Sequence, residues 1–90
     1  MKKVLVATGI SASKMYYTIN TIENYCKDKN IDVEVKGRNV YEINKEVNNP
    51  DVIVVLGKNS IDTTIPVVLG KAFENKREVE KACEEVIRYL

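Results

Sequence analysis

Two stretches constrain this chain more than any others: Val4-Leu5-Val6-Ala7 near its start and Val52-Ile53-Val54-Val55-Leu56 past its middle. Both are continuously apolar where a strand with one wet face would alternate, and each runs on into a glycine, Gly9 or Gly57, with polar residues beyond. That is the pattern of central parallel strands covered on both sides. Parallel strands need crossover connections, so the two runs predict an α/β domain with right-handed crossovers.

The segments between them supply the rest. Met15, Ile19, Ile22 and Cys26 recur at helical spacing, which predicts a helix from about Ser11 or Ser13, either of which can cap it, to Lys29. Asn30 reads as its left-handed cap. Ile31-Asp32-Val33-Glu34-Val35-Lys36 alternates strictly and predicts a strand at or near a sheet edge, with charges that oppose edge-to-edge pairing. Gly37-Arg38-Asn39 reads as a break, and Val40, Ile43 and Val47 as the apolar side of a short helix that Asn48-Asn49-Pro50 ends.

After the second apolar run, Lys58 to Thr64 is a polar loop and Ile65 to Gly70 a short strand, whose early Pro66 suits an edge. Val79, Ala82, Cys83, Val86, Ile87 and Leu90 predict a C-terminal helix from about Asn75. The expected architecture is a single α/β domain over residues 1–90: an open, four-stranded, mainly parallel sheet of order 2-1-3-4 with helices on both faces.

Composition narrows the function classes. Ninety residues, 44% hydrophobic and 30% charged, suffice for one core that buries roughly 60–65% of the unfolded surface. The net charge of +1 is spread along the chain without a basic stripe, which argues against nucleic acid. The first apolar run is too short for a signal segment or a membrane span, so the expectation is a cytoplasmic protein without membrane insertion. Cys26 and Cys83 sit on the apolar sides of their helices and read as buried free thiols. The chain has no histidine, which removes a histidine triad and the commonest zinc ligand. Tyr16, Tyr17 and Tyr25 read as half-buried helix-shoulder residues with no chemical role.

In a sheet of order 2-1-3-4 the connections from the first and third strands leave in opposite directions, and a crevice opens above their carboxyl ends. That brings Thr8 to Ser13 beside Gly57 to Thr64. Backbone N–H groups, hydroxyls and the positive end of a helix dipole would converge there as an anion cradle. The candidate phosphate-binding residues are Thr8, Gly9, Ile10, Ser11, Ala12, Ser13, Lys14 and Arg38, with Lys58 as a further cation. Lys14 is the more telling, since a cation in a first helical turn opposes the dipole unless an anion sits there. The loop is neither a Walker A sequence nor a Gly-x-Gly-x-x-Gly fingerprint, so no cofactor is expected. No carboxylate ends either central strand, which disfavours a phosphoaspartate site.

Several stretches, taken in order, carry a resemblance. Lys2-Lys3-Val4-Leu5-Val6-Ala7 is followed by Gly9-Ile10-Ser11-Ala12-Ser13-Lys14-Met15, Asn30-Ile31-Asp32-Val33-Glu34-Val35 and Arg38-Asn39-Val40-Tyr41-Glu42-Ile43. Asp51-Val52-Ile53-Val54 and Ile65-Pro66-Val67-Val68-Leu69-Gly70-Lys71-Ala72-Phe73 complete the set. Together they resemble the galactitol-type IIB component of the bacterial sugar phosphotransferase system over nearly the whole chain.

The resemblance implies a cytosolic phosphocarrier. In that family a cysteine at the end of the first strand takes a phosphoryl group from a IIA histidine and passes it to sugar entering through the membrane component IIC. Here that cysteine is missing. Aligning the strand start brings Ala7 or Thr8 to its position, and aligning from Gly9 brings Val6 there. A hydroxyl needs an adjacent base where a thiolate does not, so the reading is a IIB-type protein inactive in transfer that keeps its anion loop and its IIA and IIC partners. The alternative is a regulatory or anion-binding module on a degenerate IIB fold.

Overall fold

In a computed structural model, residues 2–9, 12–39, 50–56 and 64–90 are described. Strand β1 (Lys2–Thr8) leads to helix α1 (Ala12–Asp28) and strand β2 (Val33–Asn39). Strands β3 (Val52–Leu56) and β4 (Val67–Leu69), a 3₁₀ helix (Gly70–Glu74) and helix α2 (Val79–Arg88) follow. The strands form one sheet in the order β2-β1-β3-β4. All three pairings are parallel, as expected.

The two apolar runs are the two central strands, and β3 is buried at every position. The register separates the sheet into two faces, since parallel partners point the same way. Val4, Val6 and Thr8 share one face with Val33, Val35, Gly37 and Asn39 of β2 and with Val52, Val54 and Leu56 of β3. Leu5 and Ala7 share the other with Lys36, Arg38, Ile53 and Val55.

Both described helices pack on the first face. Ile22 and Cys26 of α1 and Ala82, Cys83 and Val86 of α2 join Val4, Val6, Val52, Val54 and Leu56 in one buried cluster, closed by Val68 and Phe73. Met15, Ile19, Val79 and Leu90 are only partly buried, at the margins of that cluster. On the second face Leu5, Ala7, Ile53 and Val55 form a smaller cluster with Ile65 and Val67. The short helix expected over Val40 to Val47, which would complete the arrangement of helices on both faces, lies outside the described residues.

Helix α1 ends as its sequence predicts. Asn30 takes the left-handed conformation at φ 59°, the Asn30 N–H donates to the Lys27 carbonyl at 3.1 Å, and the Ile31 N–H donates to the Cys26 carbonyl at 2.8 Å. This pair of bonds is a Schellman motif, and Ile31 packs against the cluster that holds Cys26.

Three expectations are corrected. Strand β2 does not break at Gly37 but runs on to Asn39, because Val6, Ala7 and Thr8 continue to pair with Gly37, Arg38 and Asn39. Gly37 serves close approach there, since a Cβ at that position would stand 2.6 Å from Met15 Sδ and 3.0 Å from Ile19 Cδ1. Helix α2 starts at Val79 rather than near Asn75, whose side chain instead accepts the Arg77 N–H at 2.9 Å and whose carbonyl accepts the Glu78 N–H at 3.0 Å. An Asx turn competes with helix at that position. Tyr16 and Tyr17 are exposed, at 61% and 55%, whereas Tyr25 is half-buried as expected.

Candidate functional site

The topology puts the switch point between β1 and β3, at their carboxyl ends. Thr8 is the last residue of β1, in register with Asn39 on one side and Leu56 on the other, and it is 8% exposed. Val6 and Ala7, the other two positions that the alignments offered, are fully buried within the strand and point to opposite faces. Neither could present a reactive atom to a partner. Gly9 follows Thr8 on the surface.

Helix α1 starts at Ala12, so its amino end, where N–H groups have no partner within the helix, stands just beyond the end of β1. Its first turn contains no acidic residue, and Ser13 and Lys14 are exposed in it. The Lys14 carbonyl accepts the Thr18 hydroxyl at 2.8 Å, which satisfies that side chain where it is buried on the inner face of the helix. Ile10 and Ser11, and the expected contribution of Gly57 to Ser60 with Lys58, lie outside the described residues.

Arg38 does not join this group in the expected way. Reading β2 as ending near Lys36 left Arg38 just past the strand. It lies within β2 opposite Ala7, on the sheet face away from α1, and its Nη1 donates to the Gly37 carbonyl at 2.7 Å. The β2 residue that reaches the rim beside Thr8, on the same face, is Asn39, which is exposed. Counting alternate residues from Val33 finds it once the strand is allowed to pass through Gly37.

The two thiols stand elsewhere. Cys26 lies about 20 Å along α1 from Ala12 at 1.5 Å per residue, and both cysteines are free and buried. Burial raises the Cys26 thiol above its ordinary range. Burial, with smaller contributions from Cys26 and Glu80, pushes the Cys83 thiol up to about 11. Neither is a nucleophile for the rim.

Among the described residues no three His, Cys, Asp or Glu side chains are grouped to hold a metal ion, and no helix is long and apolar enough to cross a membrane. The first turn of α1 offers no carboxylate as a general base to activate Thr8. No family model matches the chain, and no curated protein matches it either.

Proposed function

We propose that this chain is a phosphotransferase-system module with a IIB-type fold, whose rim binds a phosphate-type anion without taking the phosphoryl group covalently. The observation that carries the reading is the residue that ends β1. Thr8 occupies the carboxyl end of the first strand at the switch point, just ahead of α1, where the galactitol-type IIB family has its acceptor cysteine.

Two further facts support a binding role over a transfer role. The chain has no histidine, and the first turn of α1 has no carboxylate, so no side chain in that turn could deprotonate a threonine hydroxyl near neutral pH. The same lack of acidic groups favours an anion, because nothing in that turn repels it. Thr8 would donate a hydrogen bond to a phosphate oxygen beside the N–H groups of Gly9 and of the first turn of α1. A phosphorylated IIA partner would bring such a group. The module would then occupy the docking position of a carrier and stop the relay there.

One experiment separates binding from transfer. The protein is mixed with phosphoenolpyruvate, the general phosphotransferase proteins and a IIA of this class, and its intact mass is measured. The expected result is no added phosphoryl mass, together with IIA-dependent shifts of the Thr8, Gly9, Ser13 and Lys14 amides. A phosphoryl group mapped to any residue of the chain would overturn the non-transferring reading. Unshifted amides in the presence of IIA would overturn the assignment to this system.

A further inference from the structure

Strand β2 forms one edge of the described sheet, and its backbone pattern fixes which groups it turns outward. The Lys2 N–H donates to the Asp32 carbonyl at 3.4 Å, and Lys2 is in register with Val33. In a parallel ladder the direction of the backbone groups alternates, so Glu34, Lys36 and Arg38 bond toward β1, and Val33, Val35, Gly37 and Asn39 face away from it. An edge seven residues long with that outward pattern is a template for another strand.

The charges on this edge name the strand. We infer that β2 pairs antiparallel with β2 of a second copy of the chain, about a twofold axis through Val35, joining two four-stranded sheets into one. In that register the hydrogen-bonded pairs are Val35 with Val35 and Val33 with Gly37, all of them residues whose N–H and C=O groups face outward. The pairs between them set Glu34 against Lys36 of the second copy and Asp32 against Arg38. These are the non-hydrogen-bonded positions, where side chains come closest, with Cα atoms about 4.5 Å apart. Each pair brings opposite charges together, and the twofold repeats it.

The neighbouring registers do not share this property. Centring the axis on Lys36 would set Lys36 against itself and keep only Glu34 with Arg38 as an attractive pair, and centring it on Glu34 would set Glu34 against itself and keep only Asp32 with Lys36; like charges directly opposite destabilise a ladder. So the charges that oppose pairing with an arbitrary strand select one register of self-pairing.

Two contacts within one chain already prepare the arrangement. Lys36 Nζ lies 3.0 Å from Glu34 Oε1 on one edge, so pairing would extend this ion pair into a ring of four charges. Arg38 Nη1 satisfies the outward Gly37 carbonyl at 2.7 Å. On pairing, the Val33 N–H of the second copy takes over that carbonyl, and the guanidinium turns to the carboxylate of Asp32, an exposed residue. A net charge of +1 per chain adds little repulsion between copies.

Sedimentation equilibrium across a concentration series tests this, with Glu34→Lys, Lys36→Glu and the double swap as variants. The wild type should reach twice the 10.2 kDa of one chain at high concentration, and raising the salt should weaken the association. Each single variant makes two attractive pairs repulsive and should weaken it at least about tenfold. The double swap should restore it, and an equimolar mixture of the two single variants should form a heterodimer that neither forms alone. Circular dichroism confirms that each variant is folded. A wild type that stays monomeric at millimolar concentration would overturn the inference. So would a dimer whose affinity is unchanged in both single variants.

Discussion

At the residue scale the two thiols answer a question that the resemblance raises. A cysteine carrier needs an exposed, acidic thiol, and both thiols here are the reverse: buried on the inner sides of α1 and α2 with their proton affinities raised. They should therefore react slowly with iodoacetamide until the protein is unfolded. The shift at Cys83 has a stability consequence as well. Its ordinary value of 9.0 rises to about 11 in the fold, so between those two values the native state holds a proton that the unfolded chain has lost. The contribution is present in full below pH 9 and disappears as pH rises toward 11, with a magnitude on the order of 2 kcal/mol. Thermal melts from neutral to alkaline pH should show that decline, and Cys83→Ala should reduce it, leaving the part due to Cys26, while lowering stability at neutral pH through lost packing.

At the element scale the clearest test is the end of α1. Asn30 holds φ 59° inside a Schellman motif, a conformation that glycine adopts without strain and a β-branched residue adopts poorly. Asn30→Gly should leave stability unchanged or raise it by up to about 1 kcal/mol, and Asn30→Val should lower it by about 1–2 kcal/mol, both read from urea midpoints. That cap was legible in the sequence because it depends on one residue and its near neighbours. Other boundaries were not. Gly37 looks like a breaker in isolation, yet the pairing of Val6 to Thr8 carries β2 through it, and the packing of Met15 and Ile19 above it is what excludes a side chain. Asn75 looks like a helix start, and its side chain makes a turn instead. In both cases the deciding partner is distant or is a polar side chain competing for the backbone, which apolar periodicity does not register. The site suffered from the same effect. Ending β2 at Lys36, three residues early, put Arg38 past the end of the strand and left Asn39 out of the site.

At the scale of the whole molecule, the strand order and parallel pairing followed from two continuous apolar runs and the rule of right-handed crossovers, with little need of local detail. The topology fixes a switch point whatever residue stands there. The proposed function then makes a prediction about repair. Thr8→Cys would install a thiol at the carboxyl end of β1, beside the amino end of α1, where the helix dipole lowers a thiol pKa and favours the thiolate. The exchange is close in volume, and Thr8 is already 8% exposed, so the variant should fold with little loss of stability. Given phosphoenolpyruvate, the general phosphotransferase proteins and a IIA of this class, the variant should gain one phosphoryl mass on the introduced thiol, whereas the wild type gains none. Failure of a folded variant that still shows IIA-dependent amide shifts would mean that the rim has lost more than its nucleophile, in the groups that steady the transferring phosphate. Failure without such shifts would mean that the partner is not a IIA protein, and the anion reading would then rest on a direct titration with inorganic phosphate, where binding near ~1 mM corresponds to about 4 kcal/mol.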